Sequence, residues 1–183
     1  TIPYIDGGVS ISRTARVFPT YLIFKPAMFI TAFFLIQYWR FNSDLMGKIS
    51  PYLNYKKFFL FFGVGSAIFL VLHSIFLGIK FDNNFYKLFR RVIVLAFIIF
   101  EIIAQTILVI NFFKIKEQIK QFINSRILNF KITLVSILIV VAFVSIPFLA
   151  AEGYNSFKHA LEWNYFIGVI SFYLLTFFFW KKQ

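Results

Sequence analysis

Cysteine is absent from the 183 residues of this sequence. Its absence excludes disulfides, thiolate zinc sites, iron–sulfur clusters, c-type haem attachment and a cysteine nucleophile. Acidic side chains are scarce, with seven Asp and Glu against nineteen Lys and Arg, and there are only two His. The sequence also lacks a Gly-x-Ser-x-Gly elbow, a His-Glu-x-x-His helix, a Walker loop and a dinucleotide fingerprint. We therefore predict no catalytic residue and no metal site, and enzymatic activity is the less favoured interpretation.

Long apolar segments are what the sequence has most of. Hydrophobic residues make up 60% of the chain and charged residues 14%, which leaves too little polar surface to coat a soluble globule. Backbone polar groups in lipid must be satisfied within the chain, so uniformly apolar spans predict helices. The expected fold class is all-α, a single polytopic transmembrane helical domain over residues 1–183, in which residues 1–21 form an external loop. Five segments are long enough to cross a bilayer: residues 22–39, 58–79, 92–113, 132–150 and 163–180.

The Lys and Arg between these spans predict how the chain is oriented. Short segments rich in Lys and Arg stay on the cytoplasmic or matrix side, and the richer side here collects residues 40–57, 114–131 and 181–182. The N-terminal segment and residues 151–162 are then external. An odd number of spans with an external N-terminus predicts a further helix or targeting segment before Thr1. The membrane itself, whether bacterial inner, organellar or endomembrane, is not identified by this pattern.

The net charge of +12 comes mainly from Lys and Arg at the ends of the spans. Long basic side chains in such positions reach anionic lipid headgroups at the membrane surface. Anionic membrane lipids are therefore the expected partners, and nucleic acid is not expected to bind.

The N-terminal segment carries a family resemblance. Pro3-Tyr4-Ile5-Asp6-Gly7-Gly8 resembles the Pro-Tyr-Ile-Ser-Asp-x-Gly signature in the first external loop of the DRAM-like family, the damage-regulated autophagy modulators and their GPI-lipid-remodelling relatives. Leu161-Glu162-Trp163 resembles the Glu-Trp pair that opens the last helix of that family. The sequence departs from the family in two places. It lacks the Ser before Asp6, and residues 12–16 do not match the acidic residues that usually follow the signature in the family. The resemblance implies a six-helix membrane protein that acts on lipids, with one helix before Thr1.

Polar residues inside the apolar spans are the main pointers to a site, because ionisable groups at membrane depth are costly and usually face a bundle interior or a cavity. Glu101 lies near the middle of the third span, and Gln105 follows it by one helical turn on the same face. Three roles remain open for this pair: a hydrogen bond that fixes helix packing, a proton relay, or binding of a lipid headgroup. His73, in the second span, is a candidate for either interhelical hydrogen bonding or the same site.

We predict one outward-facing polar pocket built from residues of three regions. The external loop supplies a cationic rim suited to phosphate, and the spans supply a hydrogen-bonding floor. An alternative is a haem b held by His73 and His159, as in membrane anchors of respiratory enzymes; otherwise no cofactor is predicted. The candidate lipid- or ligand-binding residues are Asp6, Arg13, Arg16, His73, Glu101, Gln105, His159 and Glu162.

Two functions are compatible with these features. The first is a non-catalytic, lipid-interacting membrane protein that binds membrane lipid, or helps to redistribute or remodel it, through the polar pocket. The second is a small accessory subunit of a larger membrane complex such as a respiratory assembly, which the small size and the lack of a complete site favour. A subunit would comigrate with large partners in mild detergent, and a solitary lipid-binding protein would not.

Other residues are expected to have architectural roles. Gly63 and Ala67 have the small-xxx-small spacing that allows close helix approach. Aromatic residues at span ends, including Trp39, are predicted to form interfacial belts. Residues 114–131 alternate apolar and charged side chains, which predicts either an amphipathic helix on the inner membrane face or a continuation of the third span.

Overall fold

The computed structural model of the protein describes residues 2–50, 56–79, 84–151 and 153–181, with the backbone alone at 56, 57, 84, 87, 149 and 150. Five of its helices are long and apolar enough to cross a membrane. The all-α class and the transmembrane character are therefore confirmed. The described helices are α1 (Pro3–Asp6), α2 (Ile11–Thr14), α3 (Thr20–Ile49), α4 (Lys56–Phe76), α5 (Asn84–Lys114), α6 (Lys116–Ile119), α7 (Ser125–Ala150) and α8 (Asn155–Phe179).

Several helices extend beyond the apolar segments that predicted them. α3 continues to Ile49, and α7 begins at Ser125 rather than at residue 132. The start of α7 is fixed by Asn124, whose side-chain oxygen accepts a hydrogen bond from the Arg126 N–H at 3.0 Å and so caps the helix. Apolar content thus marks the part of a helix that lipid covers, whereas its ends depend on capping and turn residues.

Two short predictions from sequence are wrong. Residues 114–131 form neither one amphipathic helix nor a continuation of α5, because α5 ends at Lys114, α6 is a single turn and α7 begins at Ser125. The segment 1–21 is not wholly loop, since α1, α2 and the start of α3 lie within it. In α1, Asp6 accepts from the Ile2 N–H at 2.9 Å, which satisfies a donor that would otherwise have no partner in a four-residue turn.

The chain forms two compact units, unit 1 (Thr1–Thr14 and Val109–Gln183) and unit 2 (Ala15–Leu108). In unit 2, α3 packs along α4, whose buried residues recur at helical spacing and include Phe59, Ala67 and Leu70. Gly63 faces the Trp39 indole so closely that a Cβ on it would overlap the ring. The expected packing role of Gly63 is confirmed, and the Trp39 side chain is fully buried within the protein rather than exposed to lipid headgroups.

In unit 1, α7 packs against α8, and α1 and α2 contact α8. A Cβ on Gly168 of α8 would lie 2.7 Å from the side chain of Leu138 in α7, so a larger residue here would require Leu138 to shift. At the C-terminal end of α8, the Asn124 N–H donates to the Phe179 carbonyl at 2.8 Å. The Lys181 N–H donates to the Phe122 carbonyl at 2.9 Å, so the turn before α7 is joined to the end of α8.

Candidate functional site

The predicted site residues are divided between the two units. Neither unit contains the whole set, so the eight-residue pocket stays a prediction. The hypothesis that two His hold a haem b also stays a prediction, because unit 1 contains only His159 and unit 2 contains only His73. Unit 1 contains Asp6, Arg13, His159 and Glu162, and unit 2 contains Arg16, His73, Glu101 and Gln105.

In unit 1, side chains in the first turns of α8 make hydrogen bonds to backbone carbonyls of the N-terminal segment and hold that segment in place. His159 Nδ1 lies 3.0 Å from the Gly7 carbonyl oxygen. Trp163 Nε1 donates to the Val9 carbonyl at 2.8 Å, and Asn164 Nδ2 donates to the Tyr4 carbonyl at 2.9 Å. The N-terminal segment and the start of α8 therefore lie at the same end of unit 1, and His159 has a structural partner there.

The other unit 1 candidates have different surroundings. Asp6 is exposed and accepts hydrogen bonds from the Ile2 N–H and, at 3.2 Å, from the Gly8 N–H, so its carboxylate holds its own turn. Arg13 is exposed at the end of α2, and Glu162 is half-buried one turn after His159. Asp6 therefore has the turn-forming role that its position before two glycines favours.

In unit 2, Glu101 and Gln105 form a buried polar cluster with Ser66 of α4. All three side chains are fully buried. Gln105 Nε2 donates to Glu101 Oε1 at 2.9 Å, and Ser66 Oγ lies 2.6 Å from Glu101 Oε2. Ser66 Oγ also donates to the Gly63 carbonyl at 2.7 Å. The expected pairing of Glu101 with Gln105 is confirmed, and Ser66 connects it to a neighbouring helix.

A second cluster in unit 2 lies where the end of α4 meets the start of α5. The Tyr86 hydroxyl donates to the Phe76 carbonyl at 2.9 Å, and the Arg90 guanidinium carbon lies 6.0 Å from the centroid of the Tyr86 ring. His73 is half-buried one turn before Phe76, and Arg16 and Arg90 are close enough to act on it electrostatically. Arg90 makes no ion pair within the described ranges. Its Nε is buried without a hydrogen-bond partner among those residues.

Lys131, which the sequence places in a charged connecting segment, is buried in unit 1 at 2% exposure. Its Nζ donates to Thr176 Oγ1 at 2.7 Å. The same nitrogen lies 4.2 Å from the centroid of the Phe172 ring and 5.3 Å from that of Phe179. Ring faces attract cations, so α8 surrounds this ammonium group with one hydroxyl and two aromatic faces.

Unit 1 also has an open groove of about 530 Å³ between α7 and α8. It is lined mostly by apolar side chains, among them Leu134, Ile137 and Leu174. Among the described residues, none of those lining the groove carries a charge. The groove therefore has the chemistry of a lipid-facing surface rather than that of a headgroup site. In the part of the chain that is described, no group of three His, Asp or Glu residues is placed to hold a metal ion.

Comparison with known proteins finds no matching family model, no matching curated protein and no matching solved structure. The DRAM-like resemblance accordingly stays an expectation.

Three residues with distinctive surroundings were not among the sequence candidates. No role is predicted above for Ser66 or Arg90, and Lys131 ends the charged segment 114–131. The available signals were the position of Ser66 in an apolar span and the cap residue Asn124, which extends α7 over Lys131. Arg90 had no sequence signal that distinguished it from its neighbour Arg91.

Proposed function

We propose that this protein binds anionic membrane lipid, and that the headgroup phosphate is received in unit 2 by Arg90 together with Arg16 and His73. The observation that carries the proposal is the buried Nε–H of Arg90, which has no acceptor among the described residues. A buried donor without an acceptor is costly. A phosphate oxygen is the acceptor that the fork of a guanidinium matches best.

The surroundings of Arg90 favour an anion. Tyr86 supports the guanidinium through its ring face, and the Tyr86 hydroxyl is itself held by the Phe76 carbonyl, so the cation is positioned before a ligand arrives. Arg16 adds a second positive charge, and His73 adds a ring N–H. The charge pattern predicts that this cluster lies at the external membrane surface, where headgroup phosphates lie.

Other features fit lipid binding without being part of this cluster. Resemblance to the DRAM-like family, whose relatives are implicated in lipid remodelling, favours the same class of ligand. Glu101 and Gln105 belong to a separate, deeper cluster and are not required to touch the phosphate. Asp6, Arg13, His159 and Glu162 belong to unit 1, and their contribution to a shared pocket remains a prediction.

The proposal is tested by native mass spectrometry of the full chain with equimolar phosphatidylglycerol and phosphatidylcholine. The parent should retain phosphatidylglycerol in preference. Arg90→Gln should reduce that preference, because a charge-assisted hydrogen bond contributes roughly 1.5 to 3 kcal/mol, equivalent to roughly a tenfold to hundredfold change in affinity. Arg90→Lys should lose most of it too, since Lys keeps the charge but lacks the Nε–H.

Arg91→Gln is the matched control, because Arg91 is the next residue, is exposed and carries the same charge. It should leave the lipid preference within about twofold of the parent, as expected for an exposed charge that is screened by solvent. Equal losses in the Arg90 and Arg91 variants would show that only the overall charge attracts lipid, and the proposed site would then be wrong. A parent without any preference for phosphatidylglycerol would overturn the function as well.

A further inference from the structure

The Ser66, Glu101 and Gln105 cluster permits a count of hydrogens. A serine hydroxyl has one hydrogen to donate, and a backbone carbonyl oxygen can only accept. Ser66 Oγ lies 2.7 Å from the Gly63 carbonyl oxygen and 2.6 Å from Glu101 Oε2. Both separations are typical of O–H···O hydrogen bonds, so each needs a hydrogen between its two oxygens.

One hydroxyl hydrogen cannot serve both contacts fully. If Ser66 donates to Gly63, the hydrogen in the 2.6 Å contact must come from Glu101. An ionised Glu101 would instead compete with the Gly63 carbonyl for the single hydrogen, and one short contact would join two oxygens with no hydrogen between them. The other carboxyl oxygen, Oε1, already accepts from Gln105 Nε2. A neutral acid therefore supplies a hydrogen for each of these three contacts.

The orientation of the Gln105 amide also enters the count of hydrogens. In the orientation described, the Gln105 Oε1 atom has no partner among the described residues. The amide O and N positions are interchangeable by a flip of the side chain. In the flipped orientation, Gln105 Oε1 would face Glu101 Oε1, and that contact would need a hydrogen on Oε1 while the Ser66 contact needs one on Oε2. A neutral carboxyl group carries one hydrogen, so only the described orientation lets Glu101 serve both contacts.

We propose that Glu101 holds a proton in the folded protein and donates it to Ser66, so that a proton is a bound component joining α4 to α5. The cluster is thus a proton-binding site within unit 2, with Ser66 and Gln105 as positioning residues. This inference is independent of the proposed lipid function, because it uses none of the residues proposed to bind the phosphate.

Infrared spectroscopy of the full chain in phosphatidylcholine vesicles at neutral pH tests the proposal. A protonated carboxylic acid has a C=O stretching band that a carboxylate lacks. With carbon-13-labelled glutamate, that band should be present and isotope-shifted in the parent. It should be absent from Glu101→Gln and retained in Glu117→Gln, since Glu117 is exposed and its carboxylate pairs with Lys120.

Two further variants keep the test decisive if Glu101→Gln does not fold. Ser66→Ala removes the acceptor of the proposed proton, and Gln105→Leu removes the donor to the C=O oxygen. Each should move the labelled band to higher frequency, because each removes a hydrogen bond from the acid. Absence of the labelled band in the parent would overturn the proposal. A band that neither Ser66→Ala nor Gln105→Leu moves would overturn it as well.

Discussion

His159 Nδ1 lies 3.0 Å from the carbonyl oxygen of Gly7, and this contact joins residues 152 positions apart. A carbonyl oxygen can only accept, so Nδ1 of His159 carries the hydrogen. Trp163 and Asn164 make two more hydrogen bonds from the same part of α8 to carbonyls of the N-terminal segment. The first residues of the chain are therefore docked on unit 1.

Gly7 is the first test of this docking. It has a φ of +61°, and a Cβ at this position would overlap the backbone of Ser156. Gly7→Ala should destabilise the docked segment by about 1 to 3 kcal/mol, as expected for overpacking. Hydrogen exchange of residues 2–14 should become correspondingly faster.

Gly153→Ala is the control for backbone strain. Gly153 also has a positive φ, of +88°, but a Cβ on it would meet no described atom within 4 Å. It should leave the exchange of residues 2–14 unchanged. If both variants accelerate that exchange equally, the close approach of Gly7 to Ser156 is not what holds the N-terminal segment in place.

Membrane orientation is the second prediction. The N-terminal segment contacts the start of α8, and the turn before α7 contacts its end, so we expect the two to lie on opposite membrane faces. The chain has no cysteine, so Gly8→Cys and Gln121→Cys each introduce a single exposed thiol. An impermeant thiol reagent added outside oriented vesicles should label only the Gly8→Cys variant. Labelling of both variants from one side would contradict the topology.

How much of the fold and of the candidate site the sequence predicts depends on the kind of interaction. Apolar length predicted all five spans, because bilayer thickness sets it. The one-turn spacing of Glu101 and Gln105 predicted their hydrogen bond, because the helix itself fixes that distance. The contact with Ser66 was not predicted, since it depends on the register of two helices. Lys131 was misplaced because a capping residue, rather than hydropathy, determines where α7 begins.

The third prediction concerns the contact of Gly63 with Trp39. The indole is fully buried and lies directly over the glycine. Gly63→Ala should lower the free energy of unfolding by about 1 to 3 kcal/mol, because the rigid ring has no free space into which it can move. The measurement is a denaturant titration of the purified protein in mixed micelles.

A smaller partner should relieve this effect. In a Trp39→Leu background, the same Gly63→Ala substitution should cost less by at least about 0.5 kcal/mol, which is the coupling expected of residues in contact. If Gly63→Ala lowers the free energy of unfolding equally in the two backgrounds, the destabilisation does not come from the contact with Trp39.

The last prediction concerns Lys131 and Thr176. Thr176→Val keeps the shape of the side chain but removes the oxygen that accepts from Lys131 Nζ. The ammonium group would keep only the faces of Phe172 and Phe179 as described partners, so the free energy of unfolding should fall by about 1 to 3 kcal/mol. In a Lys131→Met background that donor is absent, and the same substitution should cost less than about 0.5 kcal/mol. The Thr176 hydroxyl also donates to the Phe172 carbonyl at 3.2 Å. Equal costs in both backgrounds would therefore show that the hydroxyl does not act through Lys131.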